Sequence, residues 1–316
     1  ILMMTAGGGM TTMETAARLP IRLVESGPAG GAILAARIAA ETGEREVLSF
    51  DMGGTTAKLC LIDRFRPQTA RKFEIARAAR FIKGSGMPVR IPVIEMIEIG
   101  AGGGSIAHVD RLGRLNVGPE SAGSVPGPAA FGKGGTDATV TDADVAQGLI
   151  DPDRFAEGRL QIDKDAAEAA LAHGVGDVLG LDAAQAAQGI SEIVDENMAG
   201  AGRMHAVESG KDLATRTMIA FGGAAPLHAG RLCEKLGVNR LLVPPGAGVG
   251  SAIGFLRAPF SFEANRSVYM KLSDFDGELI KSLLTDLKTE AVGFVRNCDA
   301  EAEILSDYKV YMRYTG

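Results

Sequence analysis

The sequence has little of what usually anchors a functional reading. Its 316 residues hold no tryptophan, four histidines and three cysteines. Cys60, Cys233 and Cys298 lie far apart with no CxxC pair, so neither a disulfide framework nor a zinc site is expected. Each reads as a small buried apolar residue. No two histidines stand at ligand spacing, which argues against a transition-metal site. No apolar run approaches the roughly 18 residues of a membrane span. Net charge is −6 with no long basic run, which argues against a nucleic-acid partner. The charged start of a signal peptide is missing too. The expectation is a reduced, cytoplasmic protein.

What the chain does have is glycine: 42 residues, clustered at turns such as Gly102-Gly103-Gly104 and Gly134-Gly135 without a collagen-like period. A hydrophobic content of 46% with 23% charged residues describes a globular chain, and the length allows two domains or one large one. Periodicity places strands at Leu19–Val24, 46–62 (a hairpin), Lys72–Ala78, Val89–Ile99, Thr217–Phe221 and Arg240–Val243. Ser105–Asp110 and Leu115–Val117 pair around Arg111-Leu112-Gly113. Helices fit Ala32–Thr42, closed by Gly43, then Asp144–Leu149, Lys164–His173, Ala183–Ser209, Pro226–Leu236 and Gly250–Leu256. The last third reads as strand (Phe262–Tyr269), helix (Asp274–Val295), strand (Ile304–Tyr314). Alternating strands and helices make the fold class α/β.

Phe50-Asp51-Met52-Gly53-Gly54-Thr55-Thr56 ends an apolar strand and begins a turn. An Asp at a strand tip, two glycines and two hydroxyls can hold Mg²⁺ near phosphates: backbone N–H groups approach the anion, and the carboxylate holds the metal or its waters. A plain Gly-Gly hairpin is the alternative. Phe221-Gly222-Gly223-Ala224-Ala225-Pro226 leaves a strand for a helix, where open α/β sheets take ligands; a tight strand–helix turn accounts for it equally. Pro244-Pro245-Gly246-Ala247-Gly248-Val249-Gly250-Ser251 repeats that arrangement. Neither is GxGxxG followed by an acidic residue, so a dinucleotide site is not indicated. The long loop 118–140 has the length of a functional or disordered segment.

These motifs, with Glu25-Ser26-Gly27-Pro28-Ala29-Gly30-Gly31, Ile99 to Ser105, Val117 to Gly123, Pro126-Gly127-Pro128, Thr141-Asp142-Ala143 and Pro226-Leu227-His228-Ala229, stand in the order seen in the hydantoinase A/5-oxoprolinase family, which the chain resembles from residue 20 to about 258. The resemblance implies an actin-like, ATP-binding fold of ribonuclease-H-like lobes, with a helical insertion at about 141–182. Residues 1–20 would be a linker from a missing N-terminal lobe, 21–258 the nucleotide-binding domain and 259–316 the start of a truncated α/β region. It also implies ATP and Mg²⁺ as cofactors, with Asp51 holding the metal and Gly53, Gly54, Thr55, Thr56, Gly222, Gly223 and Ala224 holding the nucleotide.

Asp51 and Asp142 are the catalytic candidates. Asp142 and Asp137 are the weaker ones for metal or water positioning, with a surface helix cap as their simpler role. His228 is expected to pack below the adenine. The implied activity is ring opening of a cyclic amide, a hydantoin or 5-oxoproline, with a hydantoinase B-type partner subunit. A subunit of an acetone-type carboxylase and a nucleotide switch without substrate chemistry are the alternatives. The family's first phosphate loop has no counterpart here, so a fragment inactive alone is expected. Lys58, where many relatives carry Asp, and Ala130-Phe131, where they often have Cys-Tyr, depart from the pattern.

Overall fold

The computed structural model describes residues 1–75 and 86–315. It divides into two compact units: residues 27–70 and 93–257 form the larger, and residues 1–26, 71–92 and 258 onward the smaller.

The larger unit is built on a six-stranded sheet. Its main strands are β1 (Glu46–Met52), β2 (Ala57–Asp63), β3 (Ile97–Ile99), β6 (Thr217–Phe221) and β7 (Arg240–Leu242), with the pair Arg66–Pro67 on β2. A separate hairpin joins β4 (Ser105–Val109) to β5 (Leu115–Ser121). In space the sheet runs β3-β2-β1-β6-β7. β2 is antiparallel to both β1 and β3, whereas β6 and β7 run parallel to β1. This mixed α/β sheet is that of an actin-like ATPase fold.

Side chains alternate across a strand, so register decides which residues share a face. Val47, Ser49 and Asp51 share one with their partners Ile62, Cys60 and Lys58 on β2, and with Ile219 and Phe221 on β6. Helix α1 (Ser26–Thr42) covers it with Ala29, Ala32, Ala35, Ala36 and Ala39. The other face carries Leu48, Phe50, Met52, Leu59, Leu61 and Met218, all fully buried. Each such side chain removed from water contributes roughly 1.5–3 kcal/mol. Helices α4 (Ala183–Glu208) and α5 (Ala225–Leu236) lie on that side: a Cβ on Gly202 of α4 would stand 3.0 Å from Leu59, and Cys233 of α5 reaches Met218 at 3.5 Å. Burial on both faces explains why β1 carries apolar residues on each, Val47 on one and Leu48, Phe50 and Met52 on the other.

Helices α2 (Val140–Ala146) and α3 (Lys164–Leu171) surround a satellite core of Ala130, Val145, Ile150, Ile162 and Ala167. Helix α6 (Gly250–Arg257) follows β7. Among the described helices none is long and apolar enough to cross a membrane.

Several expectations change. Leu19–Val24 is not a strand; Pro20–Leu23 forms a 3-10 turn. α1 starts at Ser26, six residues before the expected Ala32, because Pro28 in a first turn breaks no helical hydrogen bond. α2 starts at Val140 with Thr139 as N-cap, so Thr141 and Asp142 lie inside the first turn. Of the expected strand Lys72–Ala78, Phe73–Ile75 is formed and 76–78 lie outside the described residues.

In the smaller unit, residues 1–20, expected as a linker, hold the hairpin Leu2–Met4 with Met10–Thr12 and the helix Met13–Arg18. Helix α7 (Gly277–Cys298) buries no residue. Its Phe294 stacks on Phe262 with ring centroids 4.7 Å apart. Neither Phe262–Tyr269 nor Ile304–Tyr314 is a strand.

Candidate functional site

The turn after β1 closes with Gly53 N donating to Thr56 O at 3.1 Å. Against it lies the glycine run before β4: Gly103 N donates to Gly53 O at 3.0 Å and Gly104 N to Gly54 O at 2.7 Å. A side chain at Gly102 would put its Cβ 2.6 Å from the Gly54 carbonyl carbon, so only glycine lets these backbones meet. Thr141 on α2 donates to Gly103 O from both its N (2.7 Å) and its Oγ1 (2.8 Å). The turn is therefore braced from behind by two further segments.

On its other side the turn meets the loop after β6. Ala224 N donates to Met52 O at 3.0 Å, and Gly222 N to Ala247 O at 2.8 Å. Gly222 has φ +102°, and a Cβ there would lie 2.4 Å from Met52 O and 2.6 Å from Asp51 Oδ1. Ser251, at the start of α6, donates to Asp51 Oδ2 at 2.9 Å. Asp51 is half-buried, and burial raises its pKa while the Ser251 hydrogen bond and the Lys58 charge pull it back. Glycine-rich segments distant in sequence thus meet at the turn that follows Asp51, and the Gly222 loop and Ser251 reach its carboxylate.

Gly53, Gly54 and Gly223 differ from these neighbours. None has a positive φ, and a Cβ on any of them would meet nothing within 4 Å. Neither conformation nor packing requires glycine there. Glycine there leaves the backbone of the turn and of the loop after β6 open to close approach. The donors present, a carboxylate, the hydroxyls of Thr55 and Thr56 and open backbone amides, are hard oxygen and N–H groups that suit Mg²⁺ and phosphate.

Asp142 is fully buried, not on the surface. It accepts from Thr139 Oγ1 (2.7 Å), Thr139 N (2.9 Å) and Ala130 N (2.8 Å), closing a capping box and tying down the Pro128–Ala130 loop. Burial raises its pKa against these bonds. Asp137 is exposed on its loop.

Sequence reading missed Ser251, Glu98 and a buried charge cluster. His228 Nδ1 on α5 lies 2.9 Å from Asp195 Oδ1 on α4, and Nε2 lies 3.5 Å from Asp144 Oδ2 on α2. All three side chains are at most 5% exposed. Burial alone lowers the imidazole pKa, but the two carboxylates outweigh it and push His228 up to about 10. The ring stands between the carboxylates, so the trio does not converge on one point, and among the described residues no group of three or more His, Cys, Asp or Glu could hold a metal ion. The i, i+3 spacing of Asp195 and Met198, which lies on the apolar period of the helix, was the sequence cue to an inward-facing acid.

The profile of the Hydantoinase/oxoprolinase family matches residues 1–264. An uncharacterised protein of Methanocaldococcus jannaschii is 37% identical over 316 residues, covering 99% of this chain and 46% of that protein. The caprolactamase alpha subunit of Pseudomonas jessenii is 30% identical, over 98% of this chain and 44% of its own. The solved structure of that ATP-dependent caprolactamase superposes with a TM-score of 0.75 over 93% of this chain and 41% of that one. A nucleotide-free acetone carboxylase structure gives 0.76 at 25% identity, over 93% of this chain and 41% of that one. The chain spans less than half the length of these relatives.

Proposed function

The chain belongs to the hydantoinase/oxoprolinase family, and from that premise we propose that it is the nucleotide-binding part of an ATP-dependent enzyme that opens a cyclic amide such as a hydantoin or 5-oxoproline. The observation that carries this reading is the set of glycines at 53, 54 and 223, whose absent side chains face open space beside Asp51. The relative named for caprolactam, itself a cyclic amide, supports the substrate class.

An amide carbonyl is a poor electrophile. Bound ATP supplies a phosphoryl group that lets water open the ring, leaving the ring-opened acid, ADP and phosphate. The chain's own residues position and neutralise. Asp51 would hold Mg²⁺ or its waters, oriented by Ser251. The Gly53–Thr56 turn would offer amides and hydroxyls to the phosphates, and Gly222–Ala224 would lie against the nucleoside. A hydantoinase B-type subunit would complete the enzyme; the caprolactamase relative is itself named as one subunit.

The test uses the whole gene product mixed with its genomic neighbour. ATP consumption stimulated by cyclic amides is expected, and Asp51→Asn abolishes it. Stimulation only by a ketone with bicarbonate would instead assign a carboxylase subunit. Turnover indifferent to small molecules but dependent on a protein would assign a nucleotide switch.

A further inference from the structure

Register sets three charged side chains in one row. Asp51 of β1 pairs with Lys58 of β2, and Lys58 pairs with Glu98 of β3. They therefore project from the same face of the sheet, at the end where the glycine turn lies. Lys58 is 17% exposed at its side chain, and its Nζ lies 2.7 Å from Thr56 Oγ1 and 3.0 Å from Glu98 Oε1. An ammonium serving only to neutralise Asp51 would sit on that carboxylate. This one is turned instead to a hydroxyl of the turn. An ammonium has three donor hydrogens, and the two contacts use two.

The order of the sheet gives the row a direction. The Gly222–Ala224 loop leaves β6, on one side of β1, and Lys58 stands on β2, on the other. Two strand spacings, about 10 Å, separate them. On the proposed function, on which this inference rests, a nucleotide with its nucleoside at the β6 loop runs its phosphates across the tip of β1 toward β2. The group farthest from the nucleoside then arrives at Lys58.

We propose that Lys58 binds the terminal phosphoryl group of the nucleoside triphosphate, and that Glu98 holds the ammonium in place when no phosphate is there. The lysine distinguishes a triphosphate from a diphosphate, because only the former reaches the β2 side of the turn.

Titration calorimetry of the whole gene product with Mg·ATP and Mg·ADP tests this without reliance on turnover. Lys58→Met is expected to weaken ATP binding about tenfold, the scale of one charge-assisted hydrogen bond, while ADP binding changes less than twofold. The salt dependence of ATP affinity falls with it. Lys58→Arg keeps the charge and restores most of the preference for ATP, and Glu98→Gln leaves ATP affinity equal or higher. Equal loss of ATP and ADP affinity in Lys58→Met, or no loss of either, overturns the proposal. If Asp51→Asn still weakens nucleotide binding in that case, only the lysine assignment falls. A wild-type protein that binds neither nucleotide overturns both this inference and the function it rests on.

Discussion

At the scale of single residues, the protein commits charge to two different tasks. Asp51 keeps a half-buried carboxylate at the edge of open space, whereas His228 is sealed between Asp144 and Asp195. A buried ion pair that loses one member leaves an uncompensated charge behind, at a cost of about 3–5 kcal/mol. His228→Gln is therefore expected to lower unfolding free energy by about 3 kcal/mol at pH 7, measured by urea titration. The sign of its pH dependence follows from a folded-state pKa raised from 6.5 to about 10. A histidine so raised contributes its full stabilisation below about 6.5 and loses it as pH climbs through about 10. The difference between wild type and His228→Gln should shrink steadily across that window. A gap that stays constant from pH 7 to 10 would show His228 to be neutral in the folded protein.

At the scale of elements, two classes of glycine separate fold from site. Gly254 of α6 packs on Gly30 of α1 so closely that a Cβ would lie 1.8 Å from Gly30 O. Gly254→Ala must push the helices apart and is expected to cost about 1–3 kcal/mol, read as a lower thermal midpoint. Gly53→Ala meets no such obstacle. It should leave the thermal midpoint within about a degree while weakening nucleotide binding, since the added methyl enters the space proposed for the phosphates. Loss of stability in Gly53→Ala with normal binding would reverse that assignment. The same distinction explains what was legible in the sequence. The 3.6-residue period drew α4 at Ala183–Glu208 and the apolar run drew β6 at Thr217–Phe221, each nearly to its ends. The first turns of α1 were hidden because Gly27, Pro28, Gly30 and Gly31 look like a loop, and only the contact with α6 and Phe221 reveals why glycine sits inside a helix. Ser251 and Glu98 reach the site through register and helix placement, which no local pattern encodes.

At the scale of the whole molecule, order is unequally shared. The larger unit buries both faces of its sheet, whereas in the smaller one α7 buries no residue and Leu305, Val310, Met312 and Tyr314 are more than 70% exposed. Ile304–Tyr314 alternates apolar residues as a strand does, but a strand forms only where a neighbour accepts and donates its backbone hydrogen bonds, and no described strand forms a ladder with it. Hydrogen exchange should record this contrast directly. Amides of Val47–Phe50, Leu59–Ile62 and Met218–Phe221, paired between strands with buried side chains, are expected to exchange only through global opening. Those of 303–315 should exchange within the first time point. Protection of 304–314 comparable to that of β6 would mean that the segment has found a strand partner, and that its alternating pattern is realised after all.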